Sequence, residues 1–332
     1  MGKLDIESKI FFQNKERFAD LFNFKLYGGR QQIRPEDLKP FDSAEVIVPY
    51  GDKTGQPIQR FRDNASIWAS IQDDHSAYII LGIESQANIH YAMPVRNMLY
   101  DSANYAGQVR QTAASYRNNK NHGIYKNKQR NNIKLNSAEF LSGFRKEDRL
   151  MPVITVVVLL NADEWDGPRS IHEMLSIHDR TLLHYIPDYH INLVAPADLI
   201  EGEYHKFHTS LGPVLEYIRV SRDKKKLDEL LQKDPRYSRM ERESADLLNT
   251  ATNSELTYSE EGDEIDMCKA IEDMRADART EGKAEGKAEG KAEANVTAIK
   301  NVMDSIHISI EEAMDILKID PDKRQEYAAM VK

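Results

Sequence analysis

The chain has 332 residues, of which 40 % are apolar, and its formal net charge is −9. This length and composition predict one substantial folded domain with appendages, or two modest domains. The single cysteine, Cys268, excludes an intramolecular disulfide and a zinc site built on several cysteines. No apolar run follows the first lysine as in a signal peptide, and none is long enough to span a bilayer. We therefore expect a cytoplasmic protein with no membrane partner.

The periodicity of apolar residues divides the first two thirds of the chain into helices and strands. The predicted elements are a helix over 5–25, strands over 45–50 and 77–86, a helix over 90–117, strands over 152–161 and 189–194, and helices over 198–211, 213–220 and 224–232, with Gly212-Pro213 as a break. Segment 58–71 fits either a strand or a helix. We favour a strand, because 73–76 would then form a hairpin turn into the next strand. The pattern predicts an α/β or α+β core over residues 1–225.

The C-terminal third is poorer in aromatic and β-branched residues. We expect a helical and acidic linker region over 226–278, which includes the polar stretch 249–265. Residues 279–294 contain Glu-Gly-Lys-Ala three times in succession. This period places like charges at i,i+4 without salt-bridge support, and each glycine costs about 1 kcal/mol in a helix. The repeat predicts a frayed helical spacer, with an oligomerising helix as the alternative, before a small helical segment over 295–332.

Three polar residues give the strongest indication of chemistry. Asp63 stands in the apolar register of its segment, where a lone carboxylate is costly unless it is paired or binds a cation. Glu84 and Gln86 end an apolar strand; being two apart, they are predicted to share a face, about 7 Å apart along the strand. A hairpin would lay Glu84 near Asp63. Two facing carboxylates suit Mg²⁺ or Mn²⁺, which can neutralise phosphate charge and activate water. On spacing alone, charged residues that merely end a strand are the more common explanation of the pattern.

The predicted helix 90–117 carries a polar stripe at i,i+3 and i,i+4 spacing. The stripe consists of Arg96, Tyr100, Asn104, Gln108 and Gln111. It could grip phosphate or support the carboxylates, and an ordinary solvated face is the alternative.

A basic zone lies within this acidic protein. Residues 106–150 hold ten Lys/Arg against three Asp/Glu, a local charge of +7. Residues 116–130 are rich in Asn, Lys and Arg and predict a loop that could contact a nucleic-acid backbone, or else a solvated insertion. The candidate DNA contacts from the stripe and this loop are Arg96, Tyr100, Gln108, Lys120, Lys126, Lys128 and Arg130.

An ordered set of segments resembles the recombination-promoting nuclease (Rpn), transposase-like family of the PD-(D/E)XK nuclease superfamily. The segments are Arg17–Asn23, Arg62–Asp63, Leu81–Gln86, Arg96 with Tyr100, Pro152–Thr155, Glu164–Ser170 and Ile186–Leu193. The resemblance covers about residues 10–200. It implies a restriction-endonuclease-like mixed sheet flanked by helices, with Asp63 and Glu84 as metal ligands and Gln86 beside them. It also implies a metal-dependent DNA endonuclease linked to mobile elements or recombination.

One position departs from the superfamily pattern. The usual lysine of Glu-x-Lys is Gln86 here, although Glu-x-Gln is common in this family. Glutamine cannot stabilise charge as an ammonium does, but it could orient a water or a phosphate oxygen. Arg96 could supply the missing charge, and Glu16 or Asp20 could complete the site. The alternatives are a catalytically decayed fold that binds nucleic acid, and a protein-interaction or homo-oligomer role for the tail 265–332.

Overall fold

The structure is a computed structural model. It describes residues 2–40, 66–72, 77–117, 136–177, 179–200, 202–259 and 262–331. Contacts divide the chain into two compact units, Met1–Met267 and Cys268–Lys332. The first unit is mixed α/β, which confirms the predicted class at that level, and the second is helical. The predicted strand over 45–50 lies outside the described residues.

A mixed sheet forms the centre of the first unit. Within the described residues its strands, in spatial order, are β1 (Leu38–Pro40), β2 (Ser66–Gln72), β3 (Ala77–Gln86), β4 (Val153–Leu159) and β5 (Asn192–Val194). β1, β2 and β3 pair antiparallel, whereas β3, β4 and β5 pair parallel. The described part of the ambiguous segment is therefore a strand, and its predicted antiparallel pairing with 77–86 is confirmed.

Helices surround this sheet and extend the first unit. They are α1 (Lys3–Gln13), α2 (Lys15–Tyr27), α3 (Met93–Arg117), α4 (Ser137–Ser142), α5 (Arg180–Leu183), α6 (Leu211–Val220), α7 (Lys224–Lys233) and α8 (Arg242–Thr252). The prediction of one helix over 5–25 is wrong at Asn14. The Asn14 side chain accepts hydrogen bonds from the amides of Glu16 (2.9 Å) and Arg17 (3.2 Å), and so caps a new helix.

The predicted helix over 198–211 is also wrong. The chain instead makes two short 3₁₀ turns, Pro196–Asp198 and Glu203–Lys206. Gly212 and Pro213, predicted as a break, lie in the first turn of α6. Proline is tolerated there because the first amides of a helix have no intrahelical acceptor. Glycine is required because a Cβ at this position would lie 2.5 Å from a backbone oxygen of the preceding turn.

The first unit continues well past residue 225, where the core was predicted to end. Helix α8 packs against α1 and α6. Two-residue strands β6 (Met240–Glu241) and β7 (Glu264–Ile265) pair antiparallel. Leu256 is buried within the stretch that was predicted to be a polar linker. These contacts attach the region to the first unit.

Both faces of the central strands are covered. Val156, Val157 and Val158 of β4 are fully buried, as predicted for a strand enclosed on two sides. Helix α3 covers the face that carries Glu84 of β3, because Arg96 of α3 reaches that carboxylate. The Glu84 side chain thus lies between β3 and α3, inside the first unit.

The second unit consists of helices α9 (Met267–Ile306), α10 (Ile310–Ile316) and α11 (Pro321–Val331). Ile299, Ala313, Met314, Ile319 and Tyr327 form its buried cluster. No helix in the described part of the chain combines the length and apolar character that crossing a bilayer requires.

The repeat 279–294 is continuous helix within α9 rather than the frayed spacer that was predicted. Its residues are almost all exposed. Ile271 before the repeat and Ile299 after it are buried. Once a helical turn exists, each further residue adds a hydrogen bond. The packed segments on both sides of the repeat therefore favour helix through the glycine-containing repeat between them.

Candidate functional site

Glu84 is a carboxylate enclosed by the first unit. On β3 it lies opposite Ser66 of β2 and beside Val157 of β4. The residue is fully buried. A buried ionised carboxylate is costly unless charge and hydrogen bonds compensate it, so its neighbours define the site.

Two side chains donate to the same carboxylate oxygen. Arg96 Nη2 lies 2.8 Å from Glu84 Oε1, and Gln86 Nε2 lies 3.1 Å from it. The second contact confirms that Glu84 and Gln86 share a face. The Gln86 amide also donates to the backbone oxygen of Ser85 at 3.1 Å, which fixes its orientation.

Tyr100 holds Arg96 from the next turn of α3. Arg96 Nε donates to the Tyr100 hydroxyl at 3.1 Å, and the guanidinium carbon lies 5.7 Å from the ring centroid. Tyr100 is buried, and the Arg96 side chain is 19 % exposed. The predicted stripe residues Arg96 and Tyr100 therefore act together beside Glu84.

Gln108 has a different role from the predicted DNA contact. Its side chain is 4 % exposed. Its Nε2 donates to the Met151 carbonyl at 3.1 Å, and its Oε1 accepts from the Met151 amide at 2.7 Å. These two bonds attach α3 to the residues before β4. We therefore leave Gln108 out of any nucleic-acid surface.

Several predicted site residues lie outside the described residues. They are Asp63, Lys120, Lys126, Lys128 and Arg130. The described register of β2 places Ser66 opposite Glu84, whereas Ile67 is opposite Ile83. Over the described ranges, no group of three or more His, Cys, Asp or Glu is arranged to hold a metal. Glu84 is thus the member of the predicted carboxylate pair that the structure places.

A second buried carboxylate, Asp101, lies on α3 and was not predicted from the sequence. Thr155 Oγ1 and Tyr189 Oη donate to the two oxygens of Asp101, each at 2.6 Å. Burial raises the pKa of Asp101, against the lowering effect of these two bonds. Burial and the neighbouring Asp101 carboxylate raise the pKa of Tyr189. The available signal was Thr155, the one polar residue that interrupts the apolar run of β4.

Arg17–Asn23, the first segment of the resemblance, makes contacts with distant parts of the first unit. Arg17 is 3 % exposed; it pairs with Glu241 and, at 3.1 Å, with Glu243. Asp20 accepts from the backbone amides around residues 208–209 at 2.9–3.1 Å. These bonds engage both oxygens of Asp20, which gives this carboxylate a structural role.

Comparisons of the chain with protein-family models, with curated proteins and with solved structures each find no match. The candidate site therefore rests on its own residues and geometry.

Proposed function

We propose that the chain is a metal-dependent DNA endonuclease with a restriction-endonuclease-like core, related to the Rpn, transposase-like nucleases of the PD-(D/E)XK superfamily. One observation carries the proposal. Glu84 is fully buried on a central strand, with Gln86 two residues on and Arg96 both within hydrogen-bond distance of it. Packing alone gives no reason to bury this polar group at the end of an apolar strand.

The oxygen atoms of these residues are suitable ligands for a divalent cation. Carboxylate and amide oxygens are the hard ligands that Mg²⁺ and Mn²⁺ prefer, and the proposed ligands are Glu84 and Asp63. When bound, the cation would neutralise phosphate charge and make a water more acidic. In this proposal Gln86 orients a water or a phosphate oxygen. Arg96 provides, beside Glu84, the positive charge that Gln86 lacks.

DNA is the proposed partner. Lys120, Lys126, Lys128 and Arg130 belong to the stretch with a local charge of +7, which favours contact with a phosphate backbone. Such contacts position the duplex without reading its sequence.

A decayed nuclease that binds nucleic acid is the second candidate. The ion pair between Arg96 and Glu84 favours it, because the guanidinium compensates the buried carboxylate without a cation. The two candidates differ in whether phosphodiester bonds are cut.

Nicking of supercoiled plasmid in Mg²⁺, Mn²⁺ or EDTA tests the proposal. We expect metal-dependent nicking by the wild-type protein and its loss in Glu84→Gln and Asp63→Ala. Glu229→Gln is the matched control, because Glu229 is half exposed and forms a surface pair with Lys233 at a distance of 3.8 Å. Undiminished nicking by Glu84→Gln would refute the site. Plasmid binding without nicking in any metal would favour the decayed module.

A further inference from the structure

Asn97 is a buried amide without a hydrogen-bond partner. It follows Arg96 on α3 and is fully buried. Neither its Nδ2 nor its Oδ1 bonds to any described group. Most buried polar side chains are paired, and an unpaired one costs free energy. An apolar side chain of similar size would fill the space without that cost, so the amide requires another explanation.

Contacts one turn to either side locate Asn97 above β4. Met93, four residues earlier, packs in the cluster that contains Val157. Asp101, four residues later, accepts a hydrogen bond from Thr155. Residues four apart on a helix lie on one face, so Asn97 faces β4 between these two contacts.

This placement brings Asn97 to the side of Glu84. Val157 of β4 is the register partner of Glu84 on β3. Neighbouring strands lie about 4.8 Å apart, within the reach of an asparagine side chain above one of them. The residue before Asn97, Arg96, already contacts Glu84. The unpaired amide therefore lies in the same layer as the candidate site.

We infer that Asn97 is a further cation ligand of the Glu84 site, presenting its carboxamide oxygen to the Mg²⁺ or Mn²⁺ of the proposed function, on which this inference rests. An amide oxygen is a hard ligand for such cations. It is also neutral, so it adds no charge repulsion next to Glu84 when no cation is bound.

Gln108 provides a matched comparison on the same helix. It is also a buried amide, but both of its ends are bonded to the Met151 backbone. Replacement of a paired buried amide removes compensation from its partners, whereas replacement of an unpaired one removes a cost. Gln108→Leu should therefore lower the stability of the fold, whereas Asn97→Leu should maintain or raise it.

The test measures the melting temperature of the full chain in EDTA and in Mn²⁺. Asn97→Leu is expected to melt at or above the wild-type temperature in EDTA, and its Mn²⁺-induced rise should fall to less than half. Gln108→Leu should melt below wild type in EDTA and keep the Mn²⁺-induced rise. Asn97→Asp, which keeps the shape, covers the case in which leucine prevents folding. Its added carboxylate should give a larger Mn²⁺-induced rise than wild type.

The outcomes separate this inference from the proposed function. A wild-type Mn²⁺ rise that is lost in Glu84→Gln but kept in full by Asn97→Leu overturns the inference alone. The inference is also overturned if Asn97→Leu loses as much stability in EDTA as Gln108→Leu does, because the Asn97 amide would then be structural. The absence of any Mn²⁺ rise or nicking in the wild-type protein overturns both.

Discussion

The guanidinium of Arg96 joins α3 to β3 through the carboxylate of Glu84, with Nη2 and Oε1 2.8 Å apart. The contact binds the first turn of a helix to the end of a central strand. It gives the buried carboxylate a compensating charge whether or not a cation is present. Stability and the proposed chemistry therefore depend on the same pair.

Arg96→Leu should destabilise the fold by removing a positive charge that compensates the buried Glu84 carboxylate. Removal of one partner of a buried ion pair costs roughly 3–5 kcal/mol, and the partial exposure of Arg96 favours the lower end. Urea unfolding at neutral pH measures the change. Arg222→Leu is the control, because Arg222 pairs with Asp163 at the surface, where a pair contributes less than about 1 kcal/mol. Equal losses in the two variants would contradict the prediction.

Tyr189→Phe should destabilise the protein in a pH-dependent manner. It removes one of the two hydroxyl donors of Asp101, at a cost of about 1–3 kcal/mol at neutral pH. Because burial raises the pKa of Asp101, the folded state binds its proton more tightly than the unfolded state does. The cost of the charged carboxylate is thus present above that pKa and disappears as pH falls through it.

Unfolding of wild type and Tyr189→Phe at a series of pH values measures this effect. The difference in free energy of unfolding should shrink as Asp101 becomes protonated, since a carboxylic acid can donate its own hydrogen bond. A difference that stays constant from neutral to acid pH would show that Tyr189 acts only through packing.

Arg17→Leu should weaken the attachment of α2 to β6 and to the first turn of α8. Arg17 is almost fully buried and donates to Glu241 and Glu243. Hydrogen bonds to charged groups contribute about 1.5–3 kcal/mol. Arg239→Leu serves for comparison, because its pair with Glu264 is largely exposed and should contribute less than about 1 kcal/mol. Chemical denaturation of both variants gives the two values.

Glu241 adds a pH dependence to the Arg17 contact. Burial raises its pKa, but hydrogen bonds from Arg17 and Ser210 outweigh burial and hold it below the ordinary value of 4.5. The resulting stability is present above 4.5 and lost as pH falls through the lowered pKa. Arg17→Leu should lack this acid-dependent loss. If wild type and variant lose stability in parallel below pH 4.5, the contact does not contribute.

Two glycine-to-alanine changes should have opposite effects. Gly286 lies in α9 with open space where a Cβ would stand, so Gly286→Ala should stabilise the helix by about 1 kcal/mol. At Gly212 the added Cβ would lie 2.5 Å from a backbone oxygen, so Gly212→Ala should destabilise α6. Circular dichroism during thermal unfolding distinguishes the two. A stabilising Gly212→Ala would show that the turn before α6 can move aside.

Local patterns predicted the hairpin of β2 and β3 and the contact between Glu84 and Gln86. Both follow from strand alternation, which operates over a few residues. The buried β4 followed likewise from an uninterrupted apolar run. These predictions depended on neighbours in the sequence, and there the structure agrees.

Contacts between distant segments could not be predicted in this way. The bonds of Asp101 to Thr155 and Tyr189 depend on where α3 crosses the sheet, which no local period encodes. Gln108 read as a surface residue because its partner is the Met151 backbone, 43 residues away. Asp63 and the DNA-binding loop stay predictions, as does homo-oligomer formation through the tail.

Because α9 is unbroken, each unit of its repeat adds both length and rotation to the helix. At 1.5 Å and about 100° per residue, one Glu-Gly-Lys-Ala unit advances the helix by about 6 Å and rotates it by about 40°. Gain or loss of one unit would displace Ile299 and the cluster around it along the axis and around it at once. The number of repeats therefore sets both the reach and the angular phase of the C-terminal helices, in discrete steps.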